Sequence, residues 1–125
     1  MLSTDCTPAS AILVVEDDRL FRSLAVETLH SEGYVATGVG SAAEALIRLD
    51  QSPAVALLVT DINMPGMSGL ELVRLVRANR PAMRILIISG RERIDESALP
   101  TLAEFLQKPF SAQHFVTRIR DMLER

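Results

Sequence analysis

The chain has 125 residues, 48% of them hydrophobic and 23% charged, and reads as one soluble domain large enough to bury a core without staples. Its single cysteine, Cys6, excludes an internal disulfide framework and a cysteine-rich zinc site, and no apolar run approaches the roughly 20 residues that cross a bilayer. The formal net charge of −3 argues against a general nucleic-acid binder, which needs a basic face for phosphates.

Residues 1–10 are small and polar and lack the basic-then-apolar pattern of a signal peptide, so they read as a flexible leader. The domain proper is then 11–125, and the expected compartment is the cytoplasm. Ala11 to Val15 is a β-branched run of strand length. Asp18 can cap a helix from Arg19 to Ser31, with Leu20, Leu24 and Leu29 expected near one face and Gly33 as its stop signal. Tyr34 to Val39 is a second predicted strand. Ser41 and Glu44 have capping-box spacing and open a helix to about Asp50. Ala54 to Thr60 is a third strand, apolar on both faces. Ser68 and Glu71 repeat the capping-box spacing before a helix to about Asn79. Met83 to Ser89 and Phe105 to Gln107 are the fourth and fifth strands, and Ser111 caps a last helix to about Leu123. Where a fourth crossover helix belongs, 90–104 offers only a turn or so before Pro100, so a short or irregular element is expected.

Strands apolar on both faces, alternating with helices of 10 to 14 residues, imply a parallel sheet covered on each side. With right-handed crossovers, five strands in so short a chain fit a doubly wound α/β fold of flavodoxin-like order 2-1-3-4-5. Ligands of such sheets bind beyond the carboxyl ends of the strands. There the sequence puts Glu16, Asp17 and Asp18 after the first strand, Asp61 after the third, Ser89 and Gly90 after the fourth, and Lys108 and Pro109 after the fifth. Each alone is an ordinary cap or turn residue; their convergence on one rim is the signal.

Two carboxylates about 5 Å apart repel by roughly 3 kcal/mol at an effective dielectric of 20, so Glu16, Asp17 and Asp61 together place about 10 kcal/mol at stake. Such a cluster must protonate, splay or hold a cation. Oxygen ligands alone favour Mg²⁺, while the two histidines, His30 and His114, fall in helices away from the rim. A cation, an ammonium and a hydroxyl together suit a phosphoryl group, and a central carboxylate can be the nucleophile. Asp61 is the best placed for that role. Of the 13 basic residues only Lys108 is lysine, a hint that an ammonium is wanted there, though by itself chance explains it as well.

The loop Asp61-Ile62-Asn63-Met64-Pro65-Gly66-Met67-Ser68-Gly69 resembles the Asp-x-x-Met-Pro-x-x-x-Gly signature of bacterial two-component response-regulator receiver domains of the CheY-like kind. The opening Ile12 to Asp18, Ile87-Ile88-Ser89-Gly90 and Phe105-Leu106-Gln107-Lys108-Pro109-Phe110 fit the family's first, fourth and fifth strands, in order over residues 11–124. The resemblance implies that Asp61 accepts a phosphoryl group from a histidine kinase or phosphotransfer protein. It implies that Glu16, Asp17 and the Asn63 backbone carbonyl hold Mg²⁺ with Asp61, and that Ser89 and Lys108 contact the phosphoryl oxygens. It also makes Phe105 the switch aromatic, the Lys108-Pro109 bond cis, and Pro65, Gly69 and Pro109 shapers of the loops. The protein is then no enzyme beyond its own phosphorylation and dephosphorylation. It acts on an unknown output partner, away from nucleic acid and membrane, as a monomer or weak dimer. Phe105 stands in place of the commoner tyrosine, and the short fourth crossover points to stand-alone or kinase-appended receivers. The rivals are a Mg²⁺-dependent phosphohydrolase, which Asn63 disfavours where a general acid is needed, and a scaffold that signals without phosphate.

Several other side chains get a structural reading. Met64 and Met67 are expected to pack within the loop, and Arg74, Arg77, Arg80 and Arg84 to form a solvated face. Phe110 and Phe115, placed on the last helix, are open between core and partner surface. Arg91 and Arg93 are open between a site role and plain surface, and His114 is expected at the surface.

Overall fold

The computed structural model describes residues 11–52, 54–91 and 93–124. The predicted leader and Cys6 lie outside them. In chain order the elements are β1 (Ala11–Val15), α1 (Arg19–Ser31), β2 (Val35–Val39), α2 (Ala42–Gln51), β3 (Val55–Asp61), α3 (Gly69–Asn79), β4 (Arg84–Ser89), a 3₁₀ turn (Glu96–Ala98), β5 (Ala103–Gln107) and α4 (Ala112–Glu124). The five strands form one parallel sheet in the order β2-β1-β3-β4-β5, the predicted 2-1-3-4-5. Among the described residues, no helix is long and apolar enough to cross a membrane.

Alternation along each strand sorts side chains onto two faces. Leu13, Val15, Leu58, Ile85, Ile87 and Phe105 face α2 and α3, meeting Ala45, Leu49, Leu72 and Val76. Ile12, Val14, Leu57, Val59, Leu86, Ile88 and Leu106 face α1 and α4, meeting Ala25, Leu29, Phe115, Ile119 and Met122. Because both faces are covered, the strands are apolar runs rather than alternating ones.

Helix starts follow the predicted caps. Asp18 accepts from the amides of Leu20 and Phe21, and Ser41 from Glu44. At Ser68 both halves of a capping box are present. Gly33 ends α1 at φ +91°, a left-handed conformation open to glycine without strain.

Three expectations change. Leu20 and Leu24 are exposed, at 69% and 54%, while Leu29 is buried. Nine residues at about 100° each put Leu29 half a turn from Leu20, so α1 buries Ala25 and Leu29 and half-buries Phe21 instead. Phe110 precedes α4 rather than lying on it, and Phe115 is core. Arg77 and Arg80 are tied in, not free in solvent: Arg77 donates to the carbonyls of Arg80 and Pro81, and Arg80 to that of Leu49. Burial lowers the Arg77 pKa. The fourth crossover is the expected irregular stretch, its one 3₁₀ turn capped by Asp95.

Candidate functional site

The sheet order decides which strand ends meet. β1 and β3 are neighbours, with Val15 paired to Thr60, so the residues that follow, Glu16 and Asp61, emerge side by side. β4 adjoins β3 with Asp61 opposite Ile88, and β5 adjoins β4 with Ser89 opposite Gln107. Lys108, one residue past β5, therefore starts two strands from Asp61. Its peptide bond to Pro109 is cis, as the resemblance implies, and its side chain reaches back across the rim.

Glu16, Asp17 and Asp61 each present a carboxylate oxygen within 4.8 Å of the others. Glu16 is 1% exposed and Asp61 8%, while Asp17 stands in solvent. Lys108 Nζ lies 2.8 Å from Glu16 Oε1 and 3.4 Å from Asp61 Oδ2. The other Glu16 oxygen accepts from the Asp18 amide at 3.1 Å. Asp61 Oδ1 is approached by the Asn63 amide at 3.4 Å. These residues wall an open cavity of about 700 Å³, together with Met64, Pro65, Gly90 and Arg91.

Burial raises the Glu16 pKa above its ordinary value. The hydrogen bonds from Lys108 and the Asp18 amide oppose that without cancelling it, and the Asp61 charge adds to the rise. Burial pulls Lys108 down, but its hydrogen bond and charge contact with Glu16, and then Asp61, outweigh this and hold its pKa above the usual value. One ammonium thus serves two carboxylates, and a third, Asp17, has no share in it. Three carboxylates with no imidazole or thiolate among them form a donor set for a hard divalent cation. Of the two histidines, His30 bonds the Ala36 carbonyl and His114 is exposed on α4.

The remaining predicted residues fall around this centre. Ser89 is at the rim but fully buried, its hydroxyl accepting from the Arg91 amide at 3.3 Å. Phe105 is buried against the α2–α3 side of the sheet. Asn63 and Pro65 are exposed on the loop, while Met64 packs into the core. Gly69 sits against the end of β3: a Cβ there would lie 2.0 Å from the Asp61 carbonyl oxygen. Arg91 lines the cavity, whereas Arg93 is engaged with Gln107 at 2.9 Å.

Two residues of α1 escaped the sequence reading. Arg22 donates to the Glu16 carbonyl at 2.7 Å and so fixes the acidic turn. Its stem crosses Gly38, where a Cβ would come within 2.8 Å of Arg22 Cγ; the glycines at 38 and 40 were the available signal. Phe21 holds its ring 4.2 Å from Lys108 Nζ.

Comparison with known proteins agrees with this arrangement. Residues 12–120 match the model of the response regulator receiver domain. The chain is 37% identical to the response regulator receiver protein CpdR of Brucella abortus, over 90% of this chain and 95% of that one. It is 34% identical to the sensor kinase CckA of the same organism, over 98% of this chain but only 13% of the kinase. A response regulator receiver domain from Clostridium thermocellum superposes with a TM-score of 0.85 at 26% identity, covering 93% of this chain and 95% of that one. The chain belongs to the response-regulator receiver family. As a receiver it is a signalling domain of two-component systems, and it carries the acidic pocket at the carboxyl end of its sheet. Its abbreviated fourth crossover leaves β5, with Phe105, beside a single 3₁₀ turn instead of a full helix.

Proposed function

We propose that this receiver is the phosphoacceptor of a two-component phosphorelay and that Asp61 carries the phosphoryl group. The observation that supports this most directly is Lys108 Nζ bridging Glu16 and Asp61 inside a three-carboxylate cluster at the cavity floor. A carboxylate 8% exposed, held between an ammonium and an open cavity, is shielded from bulk water yet reachable by a donor. An Asp61 carboxylate oxygen attacks phosphorus of a phosphohistidine, the O–P bond forms, the P–N bond breaks, and the leaving imidazole takes up a proton. The donor is a histidine kinase or a phosphotransfer protein. Glu16, Asp17, Asp61 and the Asn63 carbonyl are the proposed holders of Mg²⁺, which when bound supplies positive charge to the transferring oxygens. Lys108 then pairs with the new anion. Ser89 follows, its hydroxyl leaving the cover of the Arg91 amide to donate to a phosphoryl oxygen, and Phe105 packs into the space behind it. The surface around 90–120 changes for an output partner.

Asn63, two residues beyond Asp61, holds no proton to give a leaving group, which is why a phosphohydrolase fits less well. The chain's catalysis is confined to its own phosphorylation and dephosphorylation, and the working unit is 11–125. Labelling with a small phosphodonor in Mg²⁺ tests the assignment. The native chain should take up one base-labile acyl phosphate and Asp61→Asn none. Equal uptake by both would remove Asp61 from the mechanism.

A further inference from the structure

Lys108 Nζ has three neighbours from three separate segments: Glu16 Oε1 at 2.8 Å, Asp61 Oδ2 at 3.4 Å, and the Phe21 ring centroid at 4.2 Å. Two of these are the carboxylates of the site. Phe21 is neither acidic nor on a strand end; it lies in the first turn of α1. An ammonium over an aromatic face is attracted by the negative face of the ring's quadrupole, and the contact strengthens where water is partly excluded. Here Lys108 keeps 23% of its side chain exposed and Phe21 is half-buried, so water is partly displaced.

The ring itself is held. Phe110 packs edge-on against Phe21, with centroids 5.8 Å apart and planes at 86°. Phe110 in turn stacks on Phe115 at 5.4 Å and 19°, and Phe115 is 2% exposed in the core under α4. The aromatic series therefore runs from buried core to the ammonium. Phe110 lies two residues along the chain from the lysine it supports. A flexible four-carbon stem loses several rotatable bonds' freedom when it is fixed, so each added contact that holds it in place helps offset that loss. The ring supplies a third contact, from a separate segment of the chain.

We infer that Phe21, backed by Phe110, is a positioning residue for Lys108, holding the ammonium over the acidic cluster so that it is in place before a phosphoryl group arrives. The inference rests on the proposed function for its consequence, but not for its geometry. Removing the ring frees the ammonium while leaving Asp61 and its fellow carboxylates untouched. Phosphoryl uptake then continues, more slowly, by about five-fold for a contact of this class.

Lys108 is the only lysine of the chain, so lysine-selective ¹³C,¹⁵N labelling gives a single side-chain spin system. In the native protein its ε-methylene protons should be shifted upfield by the Phe21 ring. Phe21→Leu should abolish that shift, Phe21→Tyr should keep it, and all three proteins should show matching backbone spectra away from α1. Uptake from a small phosphodonor should fall about five-fold in Phe21→Leu and return in Phe21→Tyr. An unshifted ε-methylene in the native chain, or a shift that survives in Phe21→Leu, overturns the inference whatever the phosphorylation result. If the shift behaves as described but neither native nor variant takes up phosphate at Asp61, the positioning stands and the proposed function fails. If Phe21→Tyr restores the shift but not the rate, Phe21 does not act through Lys108. Phe21→Met, apolar and unbranched, serves in place of Phe21→Leu should that variant fold poorly.

Discussion

Lys108→Met removes one charge and keeps an unbranched side chain of similar reach. At an effective dielectric of 20, contacts of 2.8 Å and 3.4 Å amount to about 6 and 5 kcal/mol of Coulomb attraction before desolvation. Desolvation cancels much of this, and deleting one partner of a buried pair typically costs about 3–5 kcal/mol. The lysine side chain is 23% exposed, which puts the loss at the low end, about 3 kcal/mol, or a melting point lower by about 12 °C for a domain of this size. The loss should depend on pH. The Glu16 pKa is raised in the folded chain, so the fold prefers the protonated acid and loses stability as pH rises from its ordinary 4.5 through the folded value. Without Lys108 the lowering hydrogen bond is gone and that folded value climbs further. Lys108's own pKa is also raised, so its contribution is complete below its ordinary 10.5 and fades only above that. Calorimetry in chelator should therefore show a melting deficit that grows as pH rises above 4.5 while Lys108 stays charged. A deficit that is constant over this range, or shrinks, would refute the view that an uncompensated Glu16 charge is what Lys108 offsets.

Gly69→Ala brings a methyl group to 2.0 Å from the Asp61 carbonyl oxygen, with the Gly69 amide already bonded to Ile62 at 2.8 Å. Backbone on both sides must move, so stability should fall by about 1–3 kcal/mol in denaturant unfolding, and labelling at Asp61 should slow as well. Ser68→Ala breaks the capping box of the same helix and should cost about 1 kcal/mol in the same denaturant unfolding.

The fold was readable because its strands advertise themselves. Leu57, Leu58 and Val59 face both sides of the sheet and are all fully buried, so an unbroken apolar run was the right sign of a central parallel strand. The caps at Asp18, Ser41 and Ser68 are local hydrogen-bond chemistry and could be placed to the residue. The face of α1 was harder. Leu20 and Leu24 carry large apolar side chains and remain exposed, while the smaller Ala25 is buried, because packing space on the sheet rather than side-chain hydropathy decides which stripe is covered.

At the site, what the sequence showed and what it hid differ for a physical reason. Glu16 and Lys108 follow strands and Asp61 ends one, and strand order alone brings strand ends together. Arg22 and Phe21 reach the site sideways from a helix, one to a backbone carbonyl and one to an ammonium, and neither contact leaves a spacing rule in the chain. They matter for charge. With Glu16, Asp17 and Asp61 ionised against Lys108, three negative charges face one positive, a deficit of two that one divalent cation would neutralise. Under the proposed function a phosphoryl group adds further negative charge close to Asp61. Glu16 then holds the weaker claim on the ammonium, and Lys108 turns toward the new anion. A side chain that must exchange partners within a few ångströms needs a wall that does not compete for its proton, and an aromatic face offers attraction without an acceptor lone pair.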